Sequence, residues 1–193
     1  YMHSWGDRRR RQQRVYPAQQ ALADRALEML ERAYWRIGAT LDAYPLDPIV
    51  VVLYTQEQFQ DITRAPAWAA GAFDGRIRVP VRGALADPHE LERVLGHEFT
   101  HALVHTLAPN GGVPTWLNEG LAVALEVDGR TQATATLAAT TVRLPLSALG
   151  TSFGGLAPAA VPLAYAESAD AVGRMLDLAG GLGVANLLRD LGA

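Results

Sequence analysis

The chain of 193 residues has no cysteine and no lysine. Without thiols, disulfides, thiolate metal sites and cysteine nucleophiles are excluded, and any metal must be held by His, Asp or Glu. Arginine supplies every one of the 17 basic charges; this bias, like the abundance of alanine, is read as genome composition rather than chemistry. Five arginines against one acid in residues 1–14 leave twelve against nineteen beyond them, so a body of −7 carries a tail of +4. An acidic body without basic stripes argues against nucleic acid as the main partner, because phosphate contacts need clustered cations. The tail, with its Arg8–Arg11 run, reads as a solvated linker in preference to a contact for anionic membrane. No apolar run approaches the ~18 residues that span a bilayer, and Tyr1–Asp7 lack the apolar core of a signal peptide. The chain opens with Tyr, so an upstream leader or anchor stays open.

What is present suits a soluble globule. Apolar residues make up 49% and charged residues 19%, with mean hydropathy +0.04, enough to bury a substantial core. The expected organisation is a basic tail over 1–14 and one domain over 15–193, with an upstream lobe to about 110 and a downstream helical lobe from about 111.

Apolar positions at three- and four-residue spacings over 18–37 predict an amphipathic helix. Ile49–Leu53 reads as a buried strand, and Thr55 with Gln58 as a capping box opening a short helix. Gly71–Gly75 reads as a turn feeding a strand over Arg76–Val81, which Pro80 places at a sheet edge. Asp87-Pro88-His89-Glu90 combines an N-cap, a proline at the first helical position and a capping glutamate, predicting a helix to about Leu107. Pro109–Pro114 breaks it, and Thr115 is expected to cap a helix to about Val127. Residues 129–162 read mostly as loop. Helical spacing returns over 164–178, and Gly180-Gly181 separates a last helix at 184–191.

His97-Glu98-Phe99-Thr100-His101 lies inside the capped helix. Histidines four apart project from one face, one turn from each other, so both imidazoles can reach one metal ion. Glu98 lies about 100° round the helix, placed to hold a metal-bound water rather than to coordinate. A second signal is Trp116–Leu125, a nearly all-apolar helix with the single carboxylate of Glu119 in its middle. Such a helix is buried, and a buried carboxylate needs a cation or strong donors. A Pro/Gly turn between the segments can reverse the chain, so two helices could deliver His97, His101 and Glu119 to one ion. Two nitrogens and one oxygen leave a fourth position for water, the mark of a catalytic zinc site.

His97-Glu98-x-x-His101 followed by Trp116-Leu117-Asn118-Glu119-Gly120-Leu121-Ala122 resembles the gluzincin zinc metallopeptidases, and more closely the bacterial peptidase-MA-like domains. The likeness extends over roughly 18–191, through Val51–Tyr54, Glu57–Phe59, Gly71–Ile77 and Ala164–Ser168. It implies an α+β zincin-like fold: a small mixed sheet plus the zinc-motif helix upstream, a mainly helical lobe downstream, and the active-site cleft between. It further implies one Zn2+ held by His97, His101 and Glu119, with Glu98 as general base in hydrolysis of a peptide or protein substrate by an endopeptidase. Tyr165 is the positional match to the oxyanion-stabilising residue, with a core aromatic as its plainer reading. Gly71, Ala72 and Phe73 begin the segment that would pair with substrate backbone as an edge strand. A bacterial cell-envelope or exported location is implied by resemblance alone.

Two departures stand out. Thermolysin-like relatives place an Asp four residues after the ligand Glu to orient a His; that position is Val123, so another group must fix His97. The Glu with which aminopeptidase relatives hold a substrate amine has at best Asp74 as counterpart, so aminopeptidase specificity is not inferred. His105 sits ~12 Å along the helix from His97, too far to share an ion, and Leu107 stands where a metzincin would have its third His. His3 and His89 are read as solvated. Two rival readings remain: a degenerate protease fold that binds polypeptide without cutting it, and a metal-free domain whose His97, His101 and Glu119 form a hydrogen-bonded core network.

Overall fold

The computed structural model describes residues 17–63, 71–81, 87–150 and 152–193; the basic tail lies outside them. Helix α1 (Pro17–Leu41) buries Ala26, Met29, Ala33 and Ile37 at the expected spacing. Strand β1 (Val51–Tyr54) leads through the anticipated capping box into α2 (Gln56–Thr63). The Gln58 amide donates to Thr55 Oγ1 at 3.2 Å, and the Thr55 amide to Gln58 Oε1 at 3.1 Å.

Strands β2 (Ala72–Phe73) and β3 (Ile77–Pro80) complete a three-stranded mixed sheet in the order β1-β3-β2. β3 runs parallel to β1, with Val51 opposite Ile77, and antiparallel to β2, with Ala72 opposite Arg78. Two expectations change here. Gly71–Gly75 is partly strand, and Pro80 belongs to the central strand. The proline is tolerated because Ile77 and Val81 turn their amides to β1, donating to Val50 and Tyr54. Pro80 faces the other side, where the described pairing with β2 reaches only as far as Arg78.

Helix α3 (Pro88–Leu107) starts where its caps place it, with Asp87 accepting from the Glu90 amide at 3.1 Å. After the Pro/Gly turn come α4 (Thr115–Ala124), α5 (Gly129–Ala138), the one-turn α6 (Leu146–Leu149), a 3-10 turn at Phe153–Gly155 and α7 (Val161–Leu191). Pro114, not Thr115, occupies the N-cap of α4, with no side-chain cap bond, and the helix stops three residues short of Val127. Helix α5 corrects the loop reading of 129–162. Its Thr/Ala composition gives little apolar periodicity, and it is held by packing against α7 and burial of Ala133. Gly180, at φ 67°, breaks α7 where the separation was expected.

A shared core runs through both halves: Ile37 and Leu41 of α1, Ile77 and Val79 of β3, Leu95 and Leu103 of α3, Leu117 and Leu121 of α4, and Val172, Val184 and Leu188 of α7. The architecture is a mainly helical α+β fold with a small mixed sheet. Helix α7 is long and apolar enough to cross a membrane by length and composition, yet it is the helix onto which α4 and α5 pack.

Candidate metal centre

Helices α3 and α4 pack side by side and bring His97, His101 and Glu119 together, with ligand atoms all within 4.8 Å of one another. His97 Nε2 lies 3.1 Å from His101 Nε2, and Glu119 Oε2 lies 3.5 and 3.6 Å from the two nitrogens. Tetrahedral ligands at 2.0–2.2 Å from a metal stand roughly 3.3–3.6 Å apart, so the three atoms already have the spacing of one coordination face.

The outer ring nitrogens fix the inner ones. His97 Nδ1 lies 2.6 Å from Glu126 Oε1, and His101 Nδ1 lies 3.0 Å from Asn118 Oδ1. A carboxylate and an amide oxygen only accept, so both Nδ1 atoms donate and each neutral ring turns an Nε2 lone pair inward. Two such lone pairs and the carboxylate therefore converge on one point. Glu119 Oε2 is buried with no hydrogen-bond partner. In the absence of a cation the conflict is relieved by a proton on His97: burial pulls its pKa down, but Glu119 and Glu126 more than offset this and raise it to about 10. His101, buried beside His97, is pushed down. Glu119, also buried, is still held below its usual range by the two imidazoles. A proton and a metal ion thus compete for the same lone pair, and the donor set fits a divalent cation with affinity for imidazole.

Glu98 points elsewhere. Its side chain is 5% exposed and its Oε2 is buried without a partner. Burial raises its pKa to about 7 against the opposing pull of His97. Gly71 lies directly over this carboxylate, so close that any Cβ there would collide with Glu98 Oε1.

Gly71, Ala72 and Phe73 line a cleft of about 660 Å3 with His97, Glu98, His101, Glu119 and Tyr165. The sheet edge beside the metal group is β2 alone, which corrects the expectation that the whole segment to Val81 is an edge. A second cavity of about 320 Å3 shares Gly71, His97, Glu98 and Tyr165 and continues towards Val123, Glu126 and Ala133. Tyr165 reaches the cleft from α7, its ring edge-on to Phe153 at 5.2 Å. Burial pushes its phenol well up, and the charges of Glu119 and Glu98 act in the same direction, so it stays a hydroxyl donor. His105 is exposed at the cleft, 5.8 Å from the Phe73 ring and outside the ligand group. Asp74 is bonded to Arg78 at 3.0 and 3.1 Å, and His89 lies 3.4 Å from Asp128.

Sequence reasoning missed Glu126, Asn118 and Arg93. Glu126 takes the orienting role that Val123 cannot fill, and its other oxygen accepts from Arg93 Nη1 at 2.9 Å. The logic that singled out Glu119, an acid embedded in an apolar run, applies equally to Glu126 between Leu125 and Val127. Comparison with protein-family models, curated proteins and solved structures gave no match.

Proposed function

We propose that the protein is a zinc-dependent peptide hydrolase with a zincin-like arrangement, a single Zn2+ being held by His97, His101 and Glu119. The observation that carries this reading is the convergence of three acceptor atoms, one of them an orphaned buried carboxylate oxygen, at the spacing of a tetrahedral face. When bound, the cation supplies Lewis-acid activation of a water and of the carbonyl it attacks.

The remaining chemistry belongs to the chain. Glu98, with a pKa raised to about 7 by burial, is matched to taking a proton from the attacking water and returning it to the leaving nitrogen. Tyr165, which lines the cleft with Glu98 and Glu119, would donate a hydrogen bond to the developing oxyanion. The exposed edge at Gly71–Phe73 suits an extended peptide laid along the cleft as an added strand. Glu98 favours catalysis over simple polypeptide binding, since a pure binding groove has no use for an orphaned buried base.

The test is Glu98→Gln, assayed for metal content by elemental mass spectrometry and for cleavage of an unfolded protein substrate. About one zinc per chain in both proteins, with cleavage in the parent reduced at least 100-fold in the variant, is the expected result. Parent protein that takes up no zinc on supplementation, or a variant that cuts as fast as the parent, would overturn the reading.

A further inference from the structure

Three of the charged groups on α3 follow a helical spacing that leads to the metal group: Glu90, Arg93 and His97. Arg93 Nε and Nη2 donate to the two oxygens of Glu90 at 2.8 and 2.7 Å, while Nη1 donates to Glu126 Oε2 at 2.9 Å. Glu126 Oε1 then meets His97 Nδ1 at 2.6 Å. Exposure falls along this chain, with side chains of Glu90 50% exposed, Arg93 25% and Glu126 3%. The outer end is a solvent-facing anchor and the inner end is sealed.

Glu126 lies just beyond the last turn of α4, its amide donating to the Val123 carbonyl at 3.1 Å, so its backbone is held while its carboxylate is left to its side-chain partners. A carboxylate there could rotate about its own axis and offer either oxygen, at any tilt, to the histidine. The guanidinium removes that freedom. Its fork has donors in fixed directions and no acceptor, so it captures Oε2 and leaves Oε1 as the acceptor for Nδ1. That in turn fixes the plane of the His97 ring and the aim of its Nε2 towards His101 and Glu119.

We propose that Arg93 is a positioning residue of the metal group, acting through Glu126 on His97, with Glu90 as its anchor. This rests on the reading that His97, His101 and Glu119 hold a metal ion. A surface ion pair that merely ties α3 to α4 would affect stability without selectively affecting metal affinity, and that difference makes the proposal testable.

Zinc affinity of the full chain is measured by competition with a chromogenic chelator for the parent, Arg93→Met, Arg93→Lys, Glu126→Gln, Glu90→Gln and the Arg93→Met/Glu126→Gln double variant. Thermal unfolding of each is recorded without metal. Loss of an outer partner to a ligating histidine costs about 10–100-fold in affinity, and that loss is expected for Arg93→Met and for Glu126→Gln. Arg93→Lys recovers part of it, as a point charge reaches Glu126 without the fork. The double variant is no weaker than the worse single one, because both substitutions break one route. Unchanged affinity in Arg93→Met, or fully additive losses in the double variant, overturns the proposal. So does a loss of affinity that merely tracks a fall in metal-free stability. Should Arg93→Met not fold, Glu90→Gln carries the test: a several-fold weaker site supports the anchor and parental affinity overturns it. A parent that binds no zinc defeats the metal reading itself and is thereby distinguished from a failure of Arg93 alone.

Discussion

At the scale of single residues, Glu98 is the most exposed to test by pH. Its folded pKa of about 7 stands above the ordinary 4.5 because burial disfavours the charged form. A carboxyl raised in this way favours the folded state below its unfolded pKa, and that contribution is lost as pH rises through the folded one. Metal-free protein should therefore lose stability between about pH 4.5 and 7, by ~3 kcal/mol at most from this group. Glu98→Gln has no such loss. Denaturant unfolding in a chelator should show the variant matching the parent near pH 4.5 and exceeding it at pH 8. The same stability difference at both pH values would mean that Glu98 is not charged at the cost its burial implies. The two histidines of the candidate metal group were legible because their spacing is local: His97 and His101 share a helical face whatever the rest of the chain does. Glu126 and Arg93 were not, since their meeting depends on where α4 stops, and the apolar pattern runs past that point to Val127.

At the scale of elements, the approach of α4 to α7 decides whether Glu119 reaches the histidines. Gly120, the neighbour of that ligand, lies against the backbone of α7, and a Cβ added there would stand 2.5 Å from the Ser168 carbonyl oxygen. Gly120→Ala must push the two helices apart, at a cost of about 1–3 kcal/mol for overpacking. The displacement moves Glu119 on one side and Tyr165 on the other, so calorimetry and zinc titration of this variant should both register a loss. Parental zinc affinity would show that α4 can slide along α7 without disturbing its ligand. Elements with strong local signals, the capping box at Thr55 and the Asp87-Pro88 start of α3, were read from sequence with their ends nearly in place. Helix α5 was not, because Thr131, Thr134 and Thr136 supply no apolar stripe and its helicity is imposed by α7. Pro80 misled for a related reason: a proline removes a donor only from the side its own amide would face, and the bonds to β1 are made by Ile77 and Val81.

At the scale of the whole molecule, the metal group joins α3 and α4, the two helices whose buried leucines form the middle of the core. A ligand that binds only the native state stabilises it by an amount set by its concentration relative to Kd, about 2.7 kcal/mol at a hundredfold excess. For a chain of this size each kcal/mol is worth about 2–4 °C in Tm. Zinc at that excess should therefore raise Tm by up to roughly 5–11 °C, and a chelator should reverse it. A Tm indifferent to zinc, at concentrations where elemental analysis finds it bound, would place the ion at a site unconnected with these helices.

The metal group and its partners, from Glu90 to Glu126, all lie in α3, the turn after it, and α4 with the residues just past its end, and among the described residues the rest of the cleft lining comes from Gly71–Gly75 and Tyr165. Drawing His97 to Glu119 closes a loop of 22 residues, about as long as the 26 between Val51 and its β3 partner Ile77, so bringing Glu119 in is the same class of step as forming the sheet. An unfolded chain still carries His97 and His101 four residues apart and so would retain some hold on the ion. The midpoint shift that zinc produces should therefore fall short of what its affinity for the native state alone would give.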